Sequence, residues 1–136
     1  MTAFFIDTNL FIRYLTNDDA EKADRVERLL ADAAAGKVKL ITAEMVMAET
    51  VWVLESAYGL NAAEIAPLIR AILASPGLEV IGSPLVERAL VHYETKGVDF
   101  IDGYIVALME RHALTGLYSF DKKHLGRFEG IERKEP

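Results

Sequence analysis

Four short apolar runs, separated by longer stretches with helical periodicity, limit what this chain can fold into. They are Ala3-Phe4-Phe5-Ile6, Val38-Lys39-Leu40-Ile41, Leu78-Glu79-Val80-Ile81 and Leu117-Tyr118-Ser119-Phe120. Each has the length of a buried strand rather than of a helix. A further short strand fits around Ile131. Strands that alternate with helical crossovers define an α/β fold: three layers, α/β/α, around a central, mainly parallel sheet of four to five strands. With 136 residues, half of them apolar, the chain is long enough for a real core and is expected to form a single domain over residues 1–136.

The helices can be placed between these runs. Asp7-Thr8-Asn9 opens a helix carrying Leu10, Phe11, Ile12 and Leu15. Ala20, Ala23, Val26, Leu29, Leu30 and Ala33 recur at helical spacing up to Gly36. Thr42 is the candidate N-cap of the next helix, which is apolar almost all round. Asn61-Ala62-Ala63-Glu64 has the pattern of a capping box, and Ser83-Pro84 places a proline in the first turn of another helix. A last helix starts at Asp99 and runs to about Leu114, with Gly116 as its stop. The sequence has no internal repeat, linker or low-complexity segment.

Composition excludes several classes. The net charge of −6 and the pI near 5.1 argue against binding nucleic acid through a broad basic surface. They leave nucleic acid open as a substrate, because bound cations can supply positive charge. The lack of cysteine removes disulfides, thiolate zinc sites and cysteine nucleophiles, and fits a cytoplasmic protein. The opening stretch Met1-Thr2-Ala3-Phe4-Phe5-Ile6 has no basic region and does not read as a signal peptide. No apolar run has the length of a membrane span.

Five acids stand out from this background. Asp7 and Asp121 each follow directly on a strand, at the carboxyl edge where α/β sheets bind ligands. Asp99 and Asp102 lie at a helix mouth, which points to the same edge. Taken singly, an N-cap and a first-turn acid are ordinary helix-starting residues. Glu49 leaves the face that Glu44 and Glu55 share to within about 20° and falls among Met45, Val46, Trp52 and Val53. A carboxylate buried there needs a partner, a proton or a metal, an arginine partner being the ordinary structural reading. Gathered carboxylates repel one another unless a cation sits among them, and all-oxygen sites suit Mg²⁺ or Mn²⁺. Such an ion polarises a phosphoryl oxygen, activates water and neutralises a leaving oxygen, as phosphodiester hydrolysis requires.

Other chemistries find less support. The serines lie in no nucleophile-elbow context, and the glycines are scattered as helix stops and turns rather than forming a phosphate loop. His92, His112 and His124 lack zinc-ligand spacing. His112 reads as the end of its helix and His124 as surface. A phosphatase with Asp7 as nucleophile would want a second Asp two residues on, where Asn9 stands.

Asp7-Thr8-Asn9, the helix Glu49-Thr50-Val51-Trp52-Val53-Leu54, Asp99-Phe100-Ile101-Asp102 and Ser119-Phe120-Asp121-Lys122 together resemble the ordered motifs of PIN-domain ribonucleases. They are most similar to those of the VapC toxins of type II toxin–antitoxin modules. The resemblance spans nearly the whole chain. It implies a PIN-like fold and an acidic quartet of Asp7, Glu49, Asp102 and Asp121 around Mg²⁺ or Mn²⁺, with Asp99 a further metal-site acid. Thr8 and Asn9 match polar residues that hold the first Asp. Ser119 stands where Thr is commoner, and Gly103 where Ala is common. The activity implied is metal-dependent endonucleolytic cleavage of RNA by activated water. The partners implied are an RNA substrate, a second copy in a homodimer and a small VapB-like antitoxin. Arg13, Lys122, Lys123 and Arg127 are the candidates for holding the RNA backbone. The alternative is a catalytically silent PIN-like module that binds RNA or protein.

Overall fold

The computed structural model describes residues 2–136. Met1, part of the opening stretch read above as no signal peptide, lies outside the described residues. The chain divides into two compact units, residues 1–83 and 84–136.

The first unit contains β1 (Ala3–Phe5), α1 (Thr8–Thr16), α2 (Ala20–Ala34), β2 (Lys39–Ala43), α3 (Glu44–Ser56), α4 (Ala62–Leu73) and β3 (Leu78–Ile81). Its sheet has the order β1-β2-β3, with both pairings parallel. Phe5 stands opposite Ile41, and Leu40 opposite Leu78. Parallel neighbours need long crossovers, and the amphipathic helices supply them. Phe11, Leu40, Met47, Leu54, Ile65 and Ile69 are fully buried. The capping box at Asn61 is present with both hydrogen bonds formed, Asn61 Oδ1 from Glu64 N and Glu64 Oε1 from Asn61 N.

The second unit contains α5 (Ser83–Lys96) from its second residue on, α6 (Phe100–Arg111), β4 (Gly116–Tyr118), a 3-10 turn at Leu125–Arg127 and β5 (Glu132–Lys134). β4 and β5 form a parallel pair. Val98, Val106, Leu125 and Phe128 form its core, with Leu117 and Ile131 packed against them. Among the described residues the structure is thus mixed α/β, with six α-helices and parallel strands, consistent with a PIN-like fold. The five strands among the described residues are distributed as a sheet of three and a pair.

Three local expectations change. Thr42 is no helix cap. It lies in β2, fully buried, and its hydroxyl donates to Ile6 O at 2.9 Å, while Ala43 takes the N-cap position without a side-chain bond. A strand that runs straight into a helix leaves no loop for a capping side chain. The last long helix stops at Arg111, before Gly116. Ala113 adopts φ 54°, its N–H bonding Glu110 O, and Leu114 N–H bonds Met109 O. That is a Schellman stop made with alanine. Third, α3 buries Met47, Thr50, Val51 and Leu54, while Met45, Glu49 and Trp52 are exposed.

Candidate metal centre

The second unit carries the convergent groups. Asp99 is the N-cap of α6 by backbone geometry, with φ −63° and ψ 152°, but its side chain makes no capping bond. Asp102, in the first turn, is half-buried. His124 Nδ1 lies 3.1 Å from Asp102 Oδ2 and 3.4 Å from Asp99 Oδ2. Among the described residues, Asp99, Asp102 and His124 bring potential ligand atoms within 4.8 Å of one another. Oxygen and imidazole donors of this kind fit a divalent cation.

Asp121 also holds the loop that follows it. Its Oδ1 accepts the backbone N–H groups of Lys123 at 2.9 Å and His124 at 3.0 Å, while its own N–H donates to Ser119 Oγ at 3.0 Å. This is an Asx-type turn that shapes the loop after β4. The electrostatics tie Asp121 to the same cluster, since its side chain also hydrogen-bonds that of Asp102. Burial pushes the Asp102 carboxyl up from its ordinary range, the charges of Asp121 and Asp99 add to that, and the His124 hydrogen bond opposes it. The backbone bond from His124, with that from Lys123, holds Asp121 below its ordinary range.

In the first unit, Asp7 follows β1 and N-caps α1, its Oδ1 accepting Thr8 N–H at 2.7 Å. Thr8 therefore touches Asp7 through its backbone. The Thr8 hydroxyl is buried and has no hydrogen-bond partner among the described residues. Asn9 is exposed. Glu49 is also exposed, which corrects the premise that its carboxylate is buried. The stripe Met47, Thr50, Val51, Leu54 has the i, i+3, i+4, i+7 spacing of a core face, and Met45, Glu49 and Trp52 fall outside it. With apolar residues almost all round α3, the pattern alone did not decide which face turns inward.

Sequence reasoning set His124 aside as surface, but it is only 19% exposed and stands at the carboxylates. The signal was available in part: Asp121 followed by a polar loop is a turn signature, and a turn at Asp121 bends the next three residues back. Of the basic candidates, Arg13 pairs with Asp18 at 2.9 Å and Lys122 with Glu135 at 3.8 Å. Arg127 donates to the carbonyls of Lys96 and Gly97. Lys123 forms no side-chain ion pair among the described residues.

The sequence matches the family model of the PIN domain over residues 4–130, and the chain belongs to that family. Among solved structures it is similar to the VapC20 toxin of Mycobacterium tuberculosis, described as a Sarcin-Ricin loop cleaving toxin. That likeness has 21% identity and a TM-score of 0.42, and covers 100% of each chain. No curated protein gives a significant match. No helix among the described residues is long and apolar enough to cross a membrane.

Proposed function

We propose that this chain is a metal-dependent endoribonuclease and the toxin of a type II toxin–antitoxin module. The convergence of Asp99 and Asp102 at the mouth of α6, inside the segment matched by the PIN family model, carries the reading. That match runs through both units, which supports reading residues 1–136 as one PIN domain. Mg²⁺ or Mn²⁺ is the cofactor proposed, with Asp99 and Asp102 holding it. Asp7, Glu49 and Asp121 complete the set of acids on which cleavage depends. When bound, the ion would neutralise charge at the phosphate and lower the pKa of water, easing loss of the proton that makes its oxygen nucleophilic towards phosphorus. The carboxylates hold and orient the ion, and a carboxylate left without the ion accepts the proton released from water. RNA is the substrate proposed. A small VapB-like antitoxin, a homodimer and a cytoplasmic setting belong to the same reading.

The test is cleavage of RNA by purified protein with Mg²⁺, with Mn²⁺ and with EDTA, beside Asp102→Asn and Asp7→Asn. Discrete metal-dependent cuts are expected, reduced by about 10²-fold or more in each variant, since even residues that only support metal ligands are worth 10–100-fold. Variants as active as the wild type would remove the reading.

A further inference from the structure

We propose that His124 is a nitrogen ligand of the metal centre, and that Asp121 is a positioning residue that acts through it. The inference deepens the metal-dependent reading above and rests on it. Its starting point is the division of labour among the acids of the second unit. Asp121 Oδ1 is taken up by two backbone N–H groups, those of Lys123 and His124. The Asp99 side chain, although its residue occupies an N-cap position, makes no bond to the helix end. So the acid after the strand spends an oxygen on the loop, while the acid at the helix mouth keeps its carboxylate for another group.

What the Asp121 turn presents is His124 Nδ1, at 3.1 Å from one carboxylate and 3.4 Å from the other. Without an ion the 3.1 Å contact is a hydrogen bond; neighbouring ligands around an octahedral ion with bonds of 2.0–2.1 Å also stand about 3 Å apart, so an ion can take the place of the shared proton, which is released on binding. The loop is fixed behind the imidazole as well as in front of it. Ser119 Oγ anchors the Asp121 N–H, and Leu125, the next residue after His124, is buried in the core with Val98, Val106 and Phe128. His124 is thereby held from both sides, as a ligand must be if the site is to be formed before the ion arrives. An imidazole donor also shifts the preference of an otherwise carboxylate site from Mg²⁺ towards the transition ions.

Two replacements separate the roles. Asparagine at position 121 keeps a carbonyl oxygen that can accept both N–H groups, whereas alanine does not. A direct ligand would be damaged by both. The experiment is Mn²⁺ binding to the full chain, followed by titration, with pulsed electron paramagnetic resonance of the bound ion to detect nitrogen coupling and circular dichroism to check folding. The wild type is expected to bind Mn²⁺ more tightly than Mg²⁺ and to show coupling to one imidazole nitrogen. His124→Ala should abolish that coupling and weaken Mn²⁺ binding about tenfold or more. Asp121→Asn should keep the coupling and bind within about twofold of the wild type, while Asp121→Ala should lose both. Mn²⁺ bound by the wild type without nitrogen coupling would overturn the role of His124 and leave the metal reading standing. Asp121→Asn as weak as Asp102→Asn would make Asp121 a ligand and overturn its positioning role. A wild type that binds no Mn²⁺ would overturn the metal reading, and this inference with it.

Discussion

Glu110 shows what a single carboxylate can do away from the candidate metal centre. Arg88 meets it with two hydrogen bonds, Nε to Oε1 at 3.1 Å and Nη2 to Oε2 at 3.0 Å, and His92 Nε2 lies 2.9 Å from Oε1. The Arg88 bonds, helped by His92, hold the Glu110 carboxyl well below its ordinary 4.5, at about 2. A depressed carboxyl favours the fold when ionised, so this contribution is complete above about pH 4.5 and is lost as the pH falls towards about 2. Glu110 is 42% exposed, which keeps the contribution modest. In thermal melts, Glu110→Gln should lie below the wild type at pH 6, and the two should converge near pH 2. A gap that stays constant across this range would assign the effect to packing instead of charge. The candidate site was legible at this scale mainly where an acid follows a strand or opens a helix. Asp7, Asp99, Asp102 and Asp121 all stand at such boundaries, which turn chemistry marks in the sequence. His124 was legible only through the turn signature at Asp121, because its place depends on that side chain bonding backbone two and three residues further on.

At the scale of elements, the helices were read well where one face differs from the other. α2 and α4 begin at capping residues Asp19 and Asn61 that bond their own first turns. α3 was misread in orientation because it lacks a polar face. The stop of α6 was misplaced because Ala113 performs a turn usually given to glycine. Gly103 looked like a mild departure from a family pattern that favours alanine there, but the packing of α5 and α6 gives it a reason. A Cβ at position 103 would stand 2.9 Å from the backbone oxygen of Ala89 and 3.3 Å from His92 Cβ. Overpacking of that kind costs about 1–3 kcal/mol, against a gain of about 1 kcal/mol in helix propensity. Gly103→Ala is therefore expected to lose about 1 kcal/mol of stability in chemical denaturation. A stabilised variant would show that α5 and α6 part easily by a few tenths of an ångström.

For the whole molecule, strand number and parallel direction could be read from the alternation of apolar runs and helices. The distribution into a sheet of three and a pair could not, because an apolar run does not name its partner; nor does it ensure burial, since Ala3, Phe4 and Phe5 of β1 and Tyr118 of β4 are exposed. For the RNA substrate proposed, the net charge of −6 is unfavourable; Arg13 and Lys122 already sit in exposed ion pairs within the chain and Arg127 on backbone carbonyls, so bound cations would supply part of the attraction. Arg127 has a consequence that belongs to polymer physics. Its guanidinium bonds to the carbonyls of Lys96 and Gly97, 31 and 30 residues earlier, close a ring of chain. Asp99, Asp102, Asp121 and His124 all lie on that ring. Closing about 30 residues costs about 3 kcal/mol of chain entropy, (3/2)RT ln n, which these non-covalent bonds help to offset. Arg127→Ala should therefore speed tryptic cleavage after Lys122 and Lys123 and leave cleavage within residues 20–34 unchanged. If the cutting pattern does not change, the ring is closed by its core alone. If it does, one arginine on the far side of the loop sets how long the segment bearing all four of those residues stays gathered.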